Sequence, residues 1–310
     1  RRFGTDAPDL RFAMEIVDIT ISSPPEVEFT VTDQNGNPVL GLADGTVRAG
    51  FAKLVPGSAD INGGLPYWQS YINRVAEGDA PDAVLATAIQ ATNDRDGTLE
   101  ELGDGSYIYT FGTDVTNVTE PLAVAWEPDL THRVVLEIRL DRDSGARVPM
   151  APINPFLDFV PSGGAGTGAS KTIADTNNCN ACHFEFAEHG GPRKTVEYCV
   201  MCHNPGSIDP NTGESVDMAY MAHSIHMGSD RPVPYIVDGT DFTEVHYPQA
   251  QTYCETCHAA SETHPDGDAW NEGASPGACG GCHADGLVAQ NPDAVTGIPE
   301  YLFDHSVADV

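Results

Sequence analysis

Two structural classes in one chain are what the sequence predicts: an all-β domain first, then a domain of short helices with little regular structure. Three observations carry this. Short apolar runs punctuated by Gly, Pro and Asn fill the first 160 residues. A Gly-rich run, Pro161–Ser170, follows them. All eight cysteines and ten of the eleven histidines lie beyond that run. The expected organisation is therefore a β-rich domain over 1–160, a linker over 161–170 and a second domain over 171–310.

In the first domain the expected strands are Leu10–Ile19, Val27–Thr32, Thr46–Val55, Ser106–Phe111, Leu122–Trp126 and Thr131–Leu140. The last is the clearest. Val134, Leu136, Ile138 and Leu140 alternate with Arg133, Glu137 and Arg139, the period of a half-buried strand, with Val135 the apolar exception. Asp33–Pro38 is a turn by residue chemistry. Asn93–Gly97 superficially resembles a calcium loop but has no later Glu in register, so it also reads as a turn. Short strands with such breaks suggest a β-sandwich or a partly open barrel.

The second domain is built on a repeated motif. Cys179-Asn-Ala-Cys182-His183, Cys199-Val-Met-Cys202-His203, Cys254-Glu-Thr-Cys257-His258 and Cys279-Gly-Gly-Cys282-His283 consume every cysteine. Two thiols three positions apart can each form a thioether to one vinyl group of a haem, and the adjoining His then meets the iron. Zinc knuckles do not require a His after each second Cys, and cysteines at this spacing rarely pair in structural disulfides. The prediction is thus a multihaem c-type cytochrome domain with four covalently attached haem c groups. Four haems would supply the core that the segment's few aliphatic residues cannot, so haem loading and folding should coincide.

The proximal ligands are His183, His203, His258 and His283. Seven further histidines are available for the opposite sides: His132, His189, His223, His226, His246, His264 and His305. Ser215–Gly228 reads as a helix ending at its glycine, with His223 and His226 three apart on nearly one face. They can ligate two neighbouring haems. His189, before Gly190-Gly191, is a third candidate. His305, 22 residues after the last motif, is the choice for the fourth, with His132 as the alternative. His246 and His264 read as exposed or propionate-contacting. Met201, Met218, Met221 and Met227 read as haem-packing residues rather than axial ligands.

Charge excludes some partners. The chain has 15 Lys and Arg against 46 Asp and Glu, a formal charge of −31. The excess is shared, with 11 cations against 25 acids over residues 1–170 and 4 against 21 over 171–310. Nucleic acid and anionic membrane surfaces need a basic face, so neither is an expected partner. No apolar run is long enough to span a bilayer. The opening Arg1-Arg2-Phe3-Gly4 reads as a mature or trimmed terminus. Covalent haem attachment takes place outside the cytoplasm, so the expected location is extracellular or the cell surface.

These residues resemble a known family. Cys179–His183, Glu188-His189-Gly190-Gly191-Pro-Arg193, Tyr198–Ser207, Val216–Met218 and His223–Gly228 are similar to the decahaem c-type cytochromes of the OmcA/MtrC type, displayed on the outer membrane of metal-respiring bacteria. Asp241-Phe242, Tyr247-Pro248-Gln249 and Cys254–His258 continue the likeness, and Trp68–Tyr71, Gly105–Tyr107 and Thr131–Arg133 extend it to the first half. The resemblance implies a split-barrel β domain and a multihaem domain that move electrons to metal oxides, flavins or electrodes. It places distal ligands on His189, His223, His226 and, more loosely, His305. A family member has a second β domain and five haems per half, whereas four motifs are present here. No cysteine pair remains for a redox-switch disulfide.

The expected function is extracellular electron transfer through four bis-His haems. Partners would be other multihaem cytochromes or identical subunits in a haem-lined filament, together with extracellular acceptors. Motif starts at 179, 199, 254 and 279 suggest two close haem pairs bridged by the helix bearing His223 and His226. The alternative is a multihaem reductase, which needs one open iron.

Overall fold

The computed structural model describes residues 12–58, 62–139, 153–167 and 171–283, and the backbone of 287–290 and 300–303. The first domain is two four-stranded antiparallel sheets packed face to face. One sheet has the order β1 (Phe12–Thr20), β2 (Glu26–Asp33), β8 (Ser106–Thr110), β7 (Thr98–Glu101). The other has the order β10 (Phe156–Phe159), β9 (His132–Ile138), β3 (Val47–Val55), β4 (Tyr67–Ser70). A separate hairpin joins β5 (Asn73–Glu77) to β6 (Thr87–Ala91).

Alternation explains the core between the sheets. Val27, Phe29 and Val31 of β2 and Tyr107 and Tyr109 of β8 face Val47, Ala49 and Phe51 of β3 and Val134, Leu136 and Ile138 of β9. The turn after β2 forms as its residues dictate. Asp33 Oδ1 accepts from the backbone N–H groups of Asn35 and Asn37, and Gly36 takes a φ of 78°. Asn93–Gly97 is likewise a turn, organised by Asp94. That carboxylate accepts from Tyr109 Oη at 2.6 Å and from the N–H groups of Gly97, Gly112 and Thr113.

Two strand expectations need correction. Leu122–Trp126 makes only an isolated bridge, Val118 to Val124, because Pro121 and Pro128 withhold ladder donors on both sides. Strand β9 is buried along its whole length rather than half-buried. Its second face is covered by the haem-motif segment. Ala52, Leu54, Trp68 and Val135 form a second apolar cluster with Tyr198 and Met201, and a Cβ on Gly50 would meet Met201 at 3.6 Å. Met201 therefore packs on the sheet.

The polar residues of β9 are buried because each finds a partner there. Arg133 stacks over Trp68 at 4.3 Å and makes two 2.7 Å bonds to Asp158. Glu137 accepts from Arg139 and Arg193, both at 2.8 Å, and from Asn93 at 3.0 Å. Burial pushes the Glu137 carboxyl upward, but the two guanidiniums outweigh it and hold the group below its ordinary value. Replacing Glu137 with Ala should therefore destabilise the protein by about 1–3 kcal/mol, since it leaves the partly buried Arg139 and Arg193 guanidiniums without their shared partner. Urea unfolding of the variant beside the parent checks this, and a midpoint within error of the parent's would refute it.

Further contacts tie the two parts together. The β5–β6 hairpin region reaches the later loop through Val84 N–H to Asn211 O at 3.0 Å, Leu85 N–H to Pro210 O at 2.9 Å and Gln90 Nε2 to Ile208 O at 2.8 Å. Residues 161–167 lie pinned along the sheet edge, with Thr167 Oγ1 donating to Leu54 O at 2.7 Å and Ser162 N–H to Pro128 O at 3.0 Å. This stretch of the expected linker is bonded chain, not a free tether.

Candidate haem-binding site

Four short helices and a helical turn carry the motifs and ligands. Helix α1 (Thr176–His183) holds the first motif, and α2 (Val196–Cys199) leads into the second. The turn Cys254–Thr256 begins the third, and α4 (Pro276–Cys282) holds the fourth. Each α-helix starts on an N-cap side chain: Asp175, Thr195, Asp217 and Ser275 for α1 to α4 in turn. Helix α3 (Met218–Met227) ends at Gly228, whose φ is 43° and where a Cβ would meet Val245 O at 2.1 Å. The expected helix and its stop are thus present.

The structure brings three motif histidines to three of the distal candidates. Ring centroids of His183 and His226 lie 6.0 Å apart, those of His203 and His189 5.9 Å, and those of His258 and His223 6.1 Å. Two imidazoles gripping one iron, each with a metal–nitrogen bond of about 2 Å, have centroids about 6 Å apart. Backbone carbonyls hold several of these rings by the other nitrogen. His203 Nδ1 bonds Val216 O at 2.8 Å, His226 Nδ1 bonds Ala222 O at 2.7 Å and His258 Nδ1 bonds Ile173 O at 3.1 Å. That leaves Nε2 of each to meet a metal. The donor set fits haem c: paired imidazoles at iron-spanning distance, each beside two unpaired thiols.

His189 reaches its position through an unusual backbone. Its φ is 54°, and Gly190 and Gly191 follow at 87° and 111°. Three successive left-handed residues turn the chain back so that the imidazole meets His203. His283 caps the C-terminus of α4, while its sequence-predicted partner His305 lies outside the described residues.

His132 is not a haem ligand in this geometry. It is fully buried in the first domain, with Nε2 on Tyr71 Oη at 2.8 Å and Nδ1 on Leu130 O at 2.9 Å. Both ring nitrogens are taken, and burial pushes its pKa down to about 4. His264 is also buried rather than exposed, its Nε2 2.8 Å from Glu197 Oε1. His246 is exposed and bonds Ser229 Oγ.

Helix α3 unites the motifs. His223 faces motif three and His226 faces motif one, a single turn apart. Helix α1 touches motif three through Asn178 Nδ2 to Cys257 O at 3.2 Å, and α2 through Thr176 Oγ1, which accepts from Val196 N–H at 2.9 Å. Burial pushes the Cys179 thiol up to about 11, and the neighbouring Cys257 thiol adds to it. Motif four docks on α3 by close backbone approach: a Cβ on Gly281 would lie 2.4 Å from His223 Cβ. Arg231, buried under Tyr220 and Tyr235, locks this contact with Nε donating to Gly281 O at 3.1 Å. Gly281→Ala should displace His223, perturbing the centres at motifs three and four and sparing motifs one and two. Paramagnetically shifted haem-methyl NMR signals report which centres change, and uniform shifts across all four would refute the contact.

Sequence reasoning missed Arg231, Glu137 and Gly281. Nothing in a single sequence marks an arginine, a glutamate or the middle of Cys-Gly-Gly-Cys as a support for a neighbouring element.

Residues 171–300 match the family of outer-membrane cytochrome MtrC/MtrF-like domains II and IV, and residues 15–166 match the OmcA-like N-terminal domain. The multiheme cytochrome MtrC of Shewanella baltica (strain OS185) is 29% identical over 286 residues, covering 91% of this chain and 38% of that protein. The crystal structure of the outer membrane decaheme cytochrome OmcA superimposes with a TM-score of 0.76 at 31% identity, over 89% of this chain and 44% of the other. That of MtrC from Shewanella baltica OS185 gives 0.62 at 25% identity, over 88% and 39%. The chain thus spans about two fifths of the length of these relatives. Two domain matches in the right order, with imidazoles paired at iron-spanning distance, place it: the chain belongs to the OmcA/MtrC family of multihaem c-type cytochromes.

Proposed function

We propose that this chain conducts electrons at the cell surface through four bis-His haem c groups, in the order motif two, one, three, four. The observation that carries it is the set of three imidazole pairs at 5.9–6.1 Å. Haem c, when bound, supplies a one-electron iron couple closed to substrates by two imidazoles. The protein's part is to fix the order. Thr176 and Asn178 tie helix α1 to α2 and to motif three, and Gly281 sets motif four against the His223 turn. His223 and His226, three residues apart on α3, hold the central two centres in one rigid frame. This order keeps the pairing suggested by motif spacing, with α3 as the bridge between pairs. His305 is the proposed distal ligand of motif four.

The partners proposed are other multihaem cytochromes and extracellular acceptors. The filament of identical subunits rested on spare histidines able to ligate a neighbour's iron, and two of the three spare ones, His132 and His264, are buried within the chain. Intact-mass measurement of the mature protein should show four haems, and redox titration should show low, overlapping potentials. A high-spin haem in the oxidised native protein would overturn the all-bis-His reading and favour a reductase.

A further inference from the structure

The three imidazole pairs are equally spaced but not equally oriented. Ring planes of His189 and His203 lie 31° apart and those of His223 and His258 43° apart. Those of His183 and His226 stand crosswise, at 88°. An aromatic ring walls each side of this crossed pair. Tyr247 meets His226 edge to face, with centroids 5.4 Å apart and planes at 82°. Phe186 meets His183 in the same way, at 5.7 Å and 78°.

Both walls are anchored to the motifs. Gln249 Nε2 donates to Tyr247 Oη at 3.1 Å and to Thr256 Oγ1 at 2.5 Å, which ties the Tyr247 ring to motif three. His226 Nδ1 also bonds Ala222 O at 2.7 Å, so bond and ring together fix its plane. On the other side, Phe186 N–H donates to Oδ1 of Asn180, a residue inside motif one, at 2.6 Å. The chain reaches Phe186 through a tight turn closed by Glu185 N–H to His183 O at 2.7 Å. Phe184 at its centre takes φ 60° and ψ −64°, a strained conformation for a phenylalanine, and its own ring is 96% exposed. What the strained turn achieves is to fold Phe186 back onto the iron ligand.

We propose that Tyr247 and Phe186 are positioning residues that hold the axial imidazoles of motif one crosswise, setting this centre electronically apart from those of motifs two and three. The proposal rests on motif one holding a bis-His haem. Each imidazole pushes π density into the iron d orbital that extends perpendicular to its ring plane. Near-parallel rings push on the same orbital, raise its electron and favour the ferric state. Crossed rings divide the push between two orbitals, which leaves the pair nearly equal in energy and makes the ferrous state easier to reach. Crossing therefore raises the potential of motif one, an internal position of the proposed electron path.

Electron paramagnetic resonance of the oxidised, haem-loaded protein under potentiometric control tests this. The parent should show a highly anisotropic low-spin signal from crossed ligands, beside rhombic signals from motifs two and three. Tyr247→Leu and Phe186→Leu should each remove one haem's share of the anisotropic signal and add a rhombic signal of lower midpoint potential. Tyr247→Phe keeps the ring and should retain the parent spectrum. Absence of the anisotropic signal from the parent would overturn the proposal, as would its survival in both leucine variants. Equal loss in Tyr247→Phe and Tyr247→Leu would overturn it too, since the ring would then not be what orients His226. A four-haem mass, a full Soret band and the absence of high-spin signal, recorded first, separate these outcomes from failed haem loading or failed ligation.

Discussion

His223→Ala should convert one haem of the loaded protein into a carbon monoxide-binding centre, where the parent should show no such binding at motifs one to three. The ring of His223 lies 6.1 Å from that of His258 and is carried on the inward face of α3. Shortening it removes one axial nitrogen and leaves the iron five-coordinate. His226, one turn on, keeps its 6.0 Å relation to His183, so the effect should be confined to motif three. His223→Met should instead keep the site closed and raise its potential, by hundreds of millivolts within the about 0.8 V that axial ligands command. Carbon monoxide difference spectra and potentiometry together decide. If the alanine variant stays silent to carbon monoxide, the pairing of His223 with motif three is wrong.

Replacing all eight motif cysteines with serine should leave residues 171–283 without stable structure while the β domain stays folded. The contrast lies in what each part buries. The β domain encloses eighteen buried hydrophobic residues in one cluster. Beyond residue 170 the buried hydrophobic side chains among the described residues are Tyr198, Cys199, Met201, Tyr220 and Tyr235. Backbone ordering costs about 1–2 kcal/mol per residue, which so small a set cannot offset across more than a hundred positions. The covalently held porphyrins supply the missing apolar surface. Hydrogen exchange should show amides of 171–283 near full exposure rates and those of β2, β3, β8 and β9 still protected. The β domain should melt earlier than in the loaded protein, because Trp68 and Val135 lose their cover. Persistent protection of α3 in the serine variant would show that the helix stands without haem.

Much of the chemistry was readable from residue order. Cys-x-x-Cys-His needs its five positions in succession, so any chain that binds haem this way must display the motif locally. The helix over Ser215–Gly228 was equally legible, because a glycine stop and two histidines at helical spacing are local signals. Strand β9 announced itself by alternation, and β1, β2, β3 and β8 fall on the other expected apolar runs. Strands β4 to β7 and β10 do not. Segments such as Thr98–Glu101 and Asn73–Glu77 are short and polar, and their pairing is decided by main-chain partners far along the chain.

What local sequence determined, then, is which residues can hold haem and where one fold class gives way to the other. Tertiary structure alone decided which histidine faces which motif. Only the folded chain showed that His132 and His264 are sequestered, and that β9 is buried on both faces. These outcomes turn on how surfaces far apart in the chain meet: Glu137 reads as a solvent-facing residue until Arg193, 56 positions later, closes over it.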